Sequence, residues 1–280
     1  HAGSPLIVLT KQLQDALQQH VDEPVEMAMR YGNPSIKTAY DNLAKKYPGL
    51  EEVILIPMYP HYAMSSYETA VVDAQDTHKK GKYPFRLTFI KPYYNEESYI
   101  DALAESIKPY LQQDYDQILF SYHNIPERHI TKADVTTSHC YKVENCCEVA
   151  SPAHKQCYRH QCITTTYLVA AQLGIPKDKF AISFQSRLGS EEWMKPYTVL
   201  RLPALPQEGV KKLLVVCPSF VSDCLETLEE IAMQGKESFM EAGGESFTLI
   251  PCLNTHPLWV KAIAGWVQGL KAGNKEMILQ

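Results

Sequence analysis

Six short apolar runs punctuate the chain, at 53–57, 85–90, 117–121, 180–184, 212–217 and 246–250. Each is close to continuous rather than alternating, the pattern of a strand covered on both faces. Between them lie stretches with helical spacing of apolar positions, among them 35–46, 99–112, 164–173 and 224–235. Gly174-Ile175-Pro176 marks a helix end before the next strand. Strand alternating with helix predicts an α/β fold with a doubly wound parallel sheet. An internal echo points to a repeated half: a strand runs into Pro57-Met58-Tyr59-Pro60, and another into Cys217-Pro218-Ser219-Phe220, each with a helix to follow.

In such sheets ligands sit in the crevice beyond the carboxyl ends of the strands. Two of those ends carry chemistry. The run at 117–121 leads into Tyr122-His123-Asn124-Ile125-Pro126, and the run at 212–217 leads into Ser222-Asp223-Cys224-Leu225-Glu226-Thr227-Leu228-Glu229-Glu230. A loop histidine alone is most often a hydrogen-bonded structural residue, and acids at a helix start favour its dipole and cap its free amides, the role expected of Asp223. At 3.6 residues per turn Glu226 and Glu230 share a helix face while Glu229 points elsewhere. Imidazole and carboxylate meeting in one cleft suit a divalent transition metal and also suit proton transfer.

A length of 280 residues permits one large domain or two modest ones. The net charge of −5 excludes a general nucleic-acid binder, and no apolar run reaches transmembrane length. Five of the eight cysteines fall between Cys140 and Cys162. With no secretion signal in view, such clustering favours metal ligation over disulfides and a cytoplasmic protein, with a peripheral contact at the inner face of a membrane left open.

The strand-end segments resemble those of ferrochelatases, enzymes that insert ferrous iron into a porphyrin. Ser121-x-His123-x-Ile125-Pro126 and the Ser222–Glu230 segment carry the resemblance. Gly3-Ser4-Pro5-Leu6, Met29-Arg30-Tyr31-Gly32-Asn33-Pro34, Pro57-Met58-Tyr59-Pro60-His61-Tyr62, Gln185-Ser186-Arg187 and Trp193 agree in order along the chain. The resemblance implies two flavodoxin-like halves facing a central cleft, one formed by 1–114 with 255–280 and the other by 115–254. Ferrochelatases normally carry a strand and a helical segment ahead of Gly-Ser-Pro, so an N-terminally incomplete first half is expected. It also implies roles. His123 would accept a pyrrole proton, bind the entering Fe2+, or do both, opposite Glu226. Ser4, Tyr94, Trp193 and Glu230 would bind substrate. Arg30 and Arg187 are candidates for porphyrin propionates or for structural ion pairs. Many relatives have histidine where this chain has Cys224, which is read as a small buried thiol. Protoporphyrin IX is the expected porphyrin, and haem and two protons the products. Rival readings are a chelatase for another tetrapyrrole or metal, and a haem or porphyrin carrier that does not turn over. Oligomeric state stays open.

The insert at 134–163 holds Cys140, Cys146, Cys147, Cys157 and Cys162. No Cys-x2-Cys pair exists, so a paired zinc ribbon is excluded. Four of the five thiolates suit a [2Fe–2S] cluster, as the resemblance to ferrochelatases with an internal cysteine insert implies; a structural zinc and plain buried thiols are the alternatives. Adjacent Cys146 and Cys147 are not both expected to bind.

Overall fold

A computed structural model describes residues 3–279, so residues 1, 2 and 280, the outermost ends of the expected first half, lie outside it. In chain order the elements are α1 (Pro5–Gln18), α2 (Ile36–Lys46), β1 (Glu52–Leu55), α3 (Thr69–Gly81), β2 (Arg86–Phe89), α4 (Glu97–Ile107), β3 (Gln117–His123), α5 (Glu127–Ala133), α6 (Tyr158–Leu173), β4 (Phe180–Gln185), α7 (Thr198–Ala204), β5 (Lys212–Val216), α8 (Leu225–Leu228), α9 (Lys236–Glu241), β6 (Ser246–Leu249) and α10 (Pro257–Lys271).

Every expected strand is present, and all strand pairs are parallel. β1 and β2 form one sheet; the other runs β4-β3-β5-β6. In that order β3 leads to a neighbour on one side and β5 to a neighbour on the other. The crevice between their carboxyl ends is therefore the switch point of the sheet, the place such folds bind ligands.

Both faces of the four-stranded sheet are covered. Ile118, Phe120 and Tyr122 of β3 join a large core with α4, α6 and α10, while Leu119 packs on the opposite face with Leu213, Val215 and residues of α7 and α9. This explains the unbroken apolar runs in these strands. A third core lies between β1–β2 and helices α2 and α3. Ile54, Ile56 and Met58 pack against the large core, which also holds Trp259 of α10, so the two sheets share apolar contacts.

Three elements depart from the expected pattern. α6 starts at Tyr158, six residues before the expected 164, and Cys162 is in its second turn. It has no apolar stripe to read, because Gln161, Thr165 and Thr166 are buried and hydrogen-bonded. The helix expected over 99–112 tightens to 3₁₀ geometry at Lys108–Gln112, where Pro109 removes an amide. The helix expected over 224–235 is α8, four residues long, followed by a wide π-turn at Glu230–Gly235. The simple four-residue stacking of Glu226 on Glu230 is lost there.

Candidate active site

Register explains how His123 reaches the switch point. Residues 117–120 of β3 pair with 213–216 of β5, an offset that would continue to place His123 against Ser219. Pro218 has no amide to donate, and the β5 ladder stops at Val216. β3 continues alone as far as His123, still paired with Gln185 of β4. The imidazole thus emerges beside a gap that the 217–224 segment fills.

His123 Nδ1 lies 2.6 Å from the Asn124 carbonyl oxygen. A carbonyl only accepts, so Nδ1 carries a proton, and in the neutral imidazole Nε2 is the nitrogen with the lone pair. His123 and Glu226 line one cavity of about 600 Å³, together with Tyr158, Ser219, Ser222 and Cys224 on one side and residues of β1 and α2 on the other. Its apolar wall includes Ile54, Ile56, Met58 and Phe220. The volume lies within the range of small-molecule sites, and its mix of apolar wall and few polar groups is typical of them.

Glu226 is held from two directions. Gln185 Nε2 donates to its carbonyl oxygen at 2.7 Å, and Ser121 Oγ in turn donates to Gln185 Oε1 at 2.6 Å. The Cys224 thiol faces the Glu226 carboxylate, and burial together with that carboxylate pushes the thiol up to about 12. Cys224 is therefore a neutral thiol beside that carboxylate, and it is buried. It also occupies the cap of α8: its amide donates to Thr227 Oγ1 at 3.1 Å. Asp223, expected as the cap, instead accepts from Thr227 Oγ1 and from Asn254 Nδ2.

The remaining expected site residues scatter. Glu230 accepts from the Ser186 amide at 2.7 Å and from its hydroxyl, which ties the π-turn to the end of β4 and keeps the carboxylate off the cavity wall. Glu229 is exposed. Ser4 precedes α1 and lines a separate open hollow with Leu225, Glu229 and Met233. The Tyr94 carbonyl accepts from Thr165 Oγ1 at 2.7 Å, and the residue is half-buried outside the cavity lining. Trp193 pairs with Pro126 in an isolated bridge, just beyond the His123 loop, and its indole N–H is buried without a partner. Arg30 lines the cavity, 3.4 Å from Asp73 and stacked on Tyr31. Arg187 is exposed and lies over Tyr197.

Four residues at the site carry no motif of their own that singles them out as site residues: Gln185, Ser219, Tyr158 and His61. Gln185 and Ser219 sit at strand ends, and Gln185 and His61 lie within segments that carry the family resemblance, though no role was attached to either. His61 is buried in the cavity wall, its ring edge-on to Tyr122 and Tyr158.

The cysteine insert forms a compact loop. Burial opposes ionisation of Asp134, but bonds from Thr136, Cys140 and His139 more than offset it and hold the carboxyl well below the usual range. All five insert cysteines are buried. The Cys157 thiol lies beside those of Cys140 and Cys147, and Cys147 beside Cys146; Arg159 Nη1 reaches Cys147 Sγ at 3.6 Å. Cys162 faces inward from α6, where its thiol meets Tyr158. Among the described residues no three or more His, Cys, Asp or Glu groups converge closely enough to hold a metal ion.

The family model and the curated relatives agree on one family. A family model of ferrochelatases matches residues 1–270. A curated ferrochelatase of Pseudomonas fluorescens (strain Pf0-1) is 49% identical over 265 residues, covering 94% of this chain and 77% of the relative. One from Opitutus terrae is 46% identical over 268 residues, covering 95% and 77%. Among solved structures, SirB from Bacillus subtilis with Fe3+ superposes with a TM-score of 0.65 at 13% identity, covering all of this chain and 96% of that one. The sirohydrochlorin chelatase SirB of Bacillus subtilis subspecies spizizenii in complex with cobalt gives 0.62 at 11% identity, covering 97% and 92%. At that identity the structural likeness speaks to the fold alone.

Proposed function

The chain belongs to the ferrochelatase family, and from that membership we propose that it inserts ferrous iron into protoporphyrin IX, giving haem and two protons. The observation that carries the mechanism is His123, with Nδ1 turned to the Asn124 carbonyl and Nε2 left free, in the same cavity as Glu226. Insertion replaces two pyrrole N–H bonds by metal–nitrogen bonds, so two protons must leave. A neutral imidazole accepts one or ligates the arriving Fe2+, and Glu226 offers a carboxylate to the other proton or to the metal. The cavity wall contributes binding energy along the macrocycle, which favours a bent ring whose lone pairs are open to the metal. Arg30, beside the cavity, supports recognition of a propionate only as far as its pairing with Asp73 leaves it free. Substrate-binding roles for Ser4, Tyr94, Trp193 and Glu230 belong to the proposal too, at positions outside this cavity lining.

The two-half division, at 114/115 and 254/255, is retained as part of the proposal, with α10 returning to pack on α1 and α4. We also propose that four of Cys140, Cys146, Cys147, Cys157 and Cys162 hold a [2Fe–2S] cluster. The donor type supports this reading, with buried soft thiols and an Arg159 N–H on one sulfur; a cluster would draw together thiols that do not converge on one point in this structure. Such a cluster would brace the insert, since insertion of Fe2+ involves no change of oxidation state. No helix among the described residues is long and apolar enough to cross a membrane; residence in the cytoplasm, with peripheral contact at the inner membrane face, belongs to the proposal.

The test is an anaerobic initial-rate assay of Fe2+ insertion with protoporphyrin and with coproporphyrin, read by loss of porphyrin fluorescence and growth of the haem spectrum. Turnover of protoporphyrin supports the reading. Preferred turnover of coproporphyrin would change the substrate, and stoichiometric binding without turnover would make the chain a carrier.

A further inference from the structure

The backbone of His123 is held by groups that no strand supplies. Asn124 N–H donates to Gln185 O, so Asn124 faces β4 and His123 faces the opposite side, where β5 has already ended. Its amide and carbonyl would be left without a strand partner in a partly buried setting, where an unpaired backbone group is costly. Two side chains take the place of the missing strand. The His123 amide donates to Ser219 Oγ at 3.2 Å, and Tyr158 Oη donates to the His123 carbonyl at 2.8 Å. Ser219 Oγ and Tyr158 Oη are 2.7 Å apart.

Proton counting fixes the direction of every bond. The phenol has one proton and gives it to the carbonyl. The contact between the hydroxyls must therefore run from Ser219 O–H to Tyr158 Oη. The result is a closed cycle: His123 N–H to Ser219, Ser219 O–H to Tyr158, Tyr158 O–H to the His123 carbonyl. Burial pushes the Tyr158 phenol well above its ordinary range, which keeps that proton in place. Tyr158 is the first residue of α6 and directly follows Cys157, so the cycle also joins the cysteine insert to the His123 loop.

We infer that Tyr158 and Ser219 are positioning residues that clamp the backbone of His123 and so aim its Nε2 into the cavity. The inference rests on the proposed function where it predicts rates. Tyr158→Phe keeps the ring that packs on His61 and removes only the hydroxyl; Ser219→Ala breaks the cycle from the other side. Each lowers kcat about tenfold, the equivalent of one lost buried hydrogen bond, while KM for porphyrin stays within twofold. Ser219→Thr, which retains a hydroxyl, recovers most of the rate, and Tyr167→Phe, on the outer side of α6, changes nothing. The imidazole ¹⁵N resonances of His123, assigned by comparison with His123→Ala, shift in both clamp variants and not in Tyr167→Phe. Rates within twofold of the parent in both variants, or unchanged His123 resonances, overturn the clamp. A parent protein without turnover would count against the chelatase reading alone, and the resonances would still decide on the clamp.

Discussion

With its Nδ1 proton committed to the Asn124 carbonyl, His123 has one nitrogen left to offer, and in the neutral ring that nitrogen carries the lone pair. Replacing it by alanine removes the lone pair without touching the apolar wall. His123→Ala should lower kcat by roughly 10²–10⁴-fold, the usual worth of a general base, while porphyrin still quenches intrinsic fluorescence with near-parent affinity. A variant that kept most of its rate would take His123 out of the reaction. The acids divide by location rather than by helical face. Glu226 borders the cavity and faces the neutral Cys224 thiol. Glu230 is spent on Ser186, and Glu229 is exposed. Glu226→Gln should therefore slow insertion at least tenfold more than Glu229→Gln under identical assay conditions. Equal losses would show that charge near the mouth matters and position does not.

Strand existence, the alternation of strand with helix and the placement of His123 at a strand end were legible because they follow from apolar runs and their polar stops; the order of strands within the sheet was not read from the sequence. The start of α6 was not, since a helix whose inward face carries Gln161, Thr165 and Thr166 has no apolar period to detect. Nor was the π-turn at Glu230–Gly235, where nothing in Glu230-Ile231-Ala232-Met233 announces an extra residue in the turn. That turn is why Glu230 serves Ser186 instead of stacking over Glu226. The cysteine insert was legible as a unit, but its bracing was not: Asp134, a residue with no motif, accepts the amides of Thr136, His139 and Cys140. Purified protein should be reddish brown, with about two iron and two labile sulfide per chain if four thiolates hold a [2Fe–2S] cluster. Cys157→Ser should bleach it, and Asp134→Asn, which replaces one acceptor oxygen by a donor amide, should bleach it faster in air than the parent. Because Tyr158 follows Cys157, the kcat penalty of Cys157→Ser should shrink in a Tyr158→Phe background. A colourless protein with one zinc per chain would replace the cluster by a structural zinc site.

The two sheets are joined by more than apolar contact, and His61 stands at the join. It lies on the segment after β1, while its ring rests against Tyr122 of β3 and Tyr158 of α6. The neighbouring Tyr62 amide donates to Gln161 Oε1 of α6 at 2.7 Å. His61 Nε2 is 3.0 Å from Thr165 Oγ1, whose own proton goes to a backbone carbonyl, so His61 Nε2–H is the donor and Nδ1 is bare and without a partner. Burial alone lowers the imidazole to about 3. In the unfolded chain a histidine titrates near 6.5. Between those values the unfolded chain takes up a proton that the folded chain refuses, so His61 costs nothing above about pH 7 and destabilises progressively as pH falls. The slope is about 1.4 kcal/mol per pH unit once pH is well below 6.5, which amounts to about 2 kcal/mol between pH 7 and pH 5. His61→Gln retains an N–H for Thr165 but cannot titrate. Urea unfolding followed by tryptophan fluorescence at pH 7, 6 and 5 should show the parent losing about 2 kcal/mol more than His61→Gln over that interval. Parallel pH dependence in the two proteins would mean that the imidazole charges in place, and that the contact between the two sheets opens to water before the molecule unfolds.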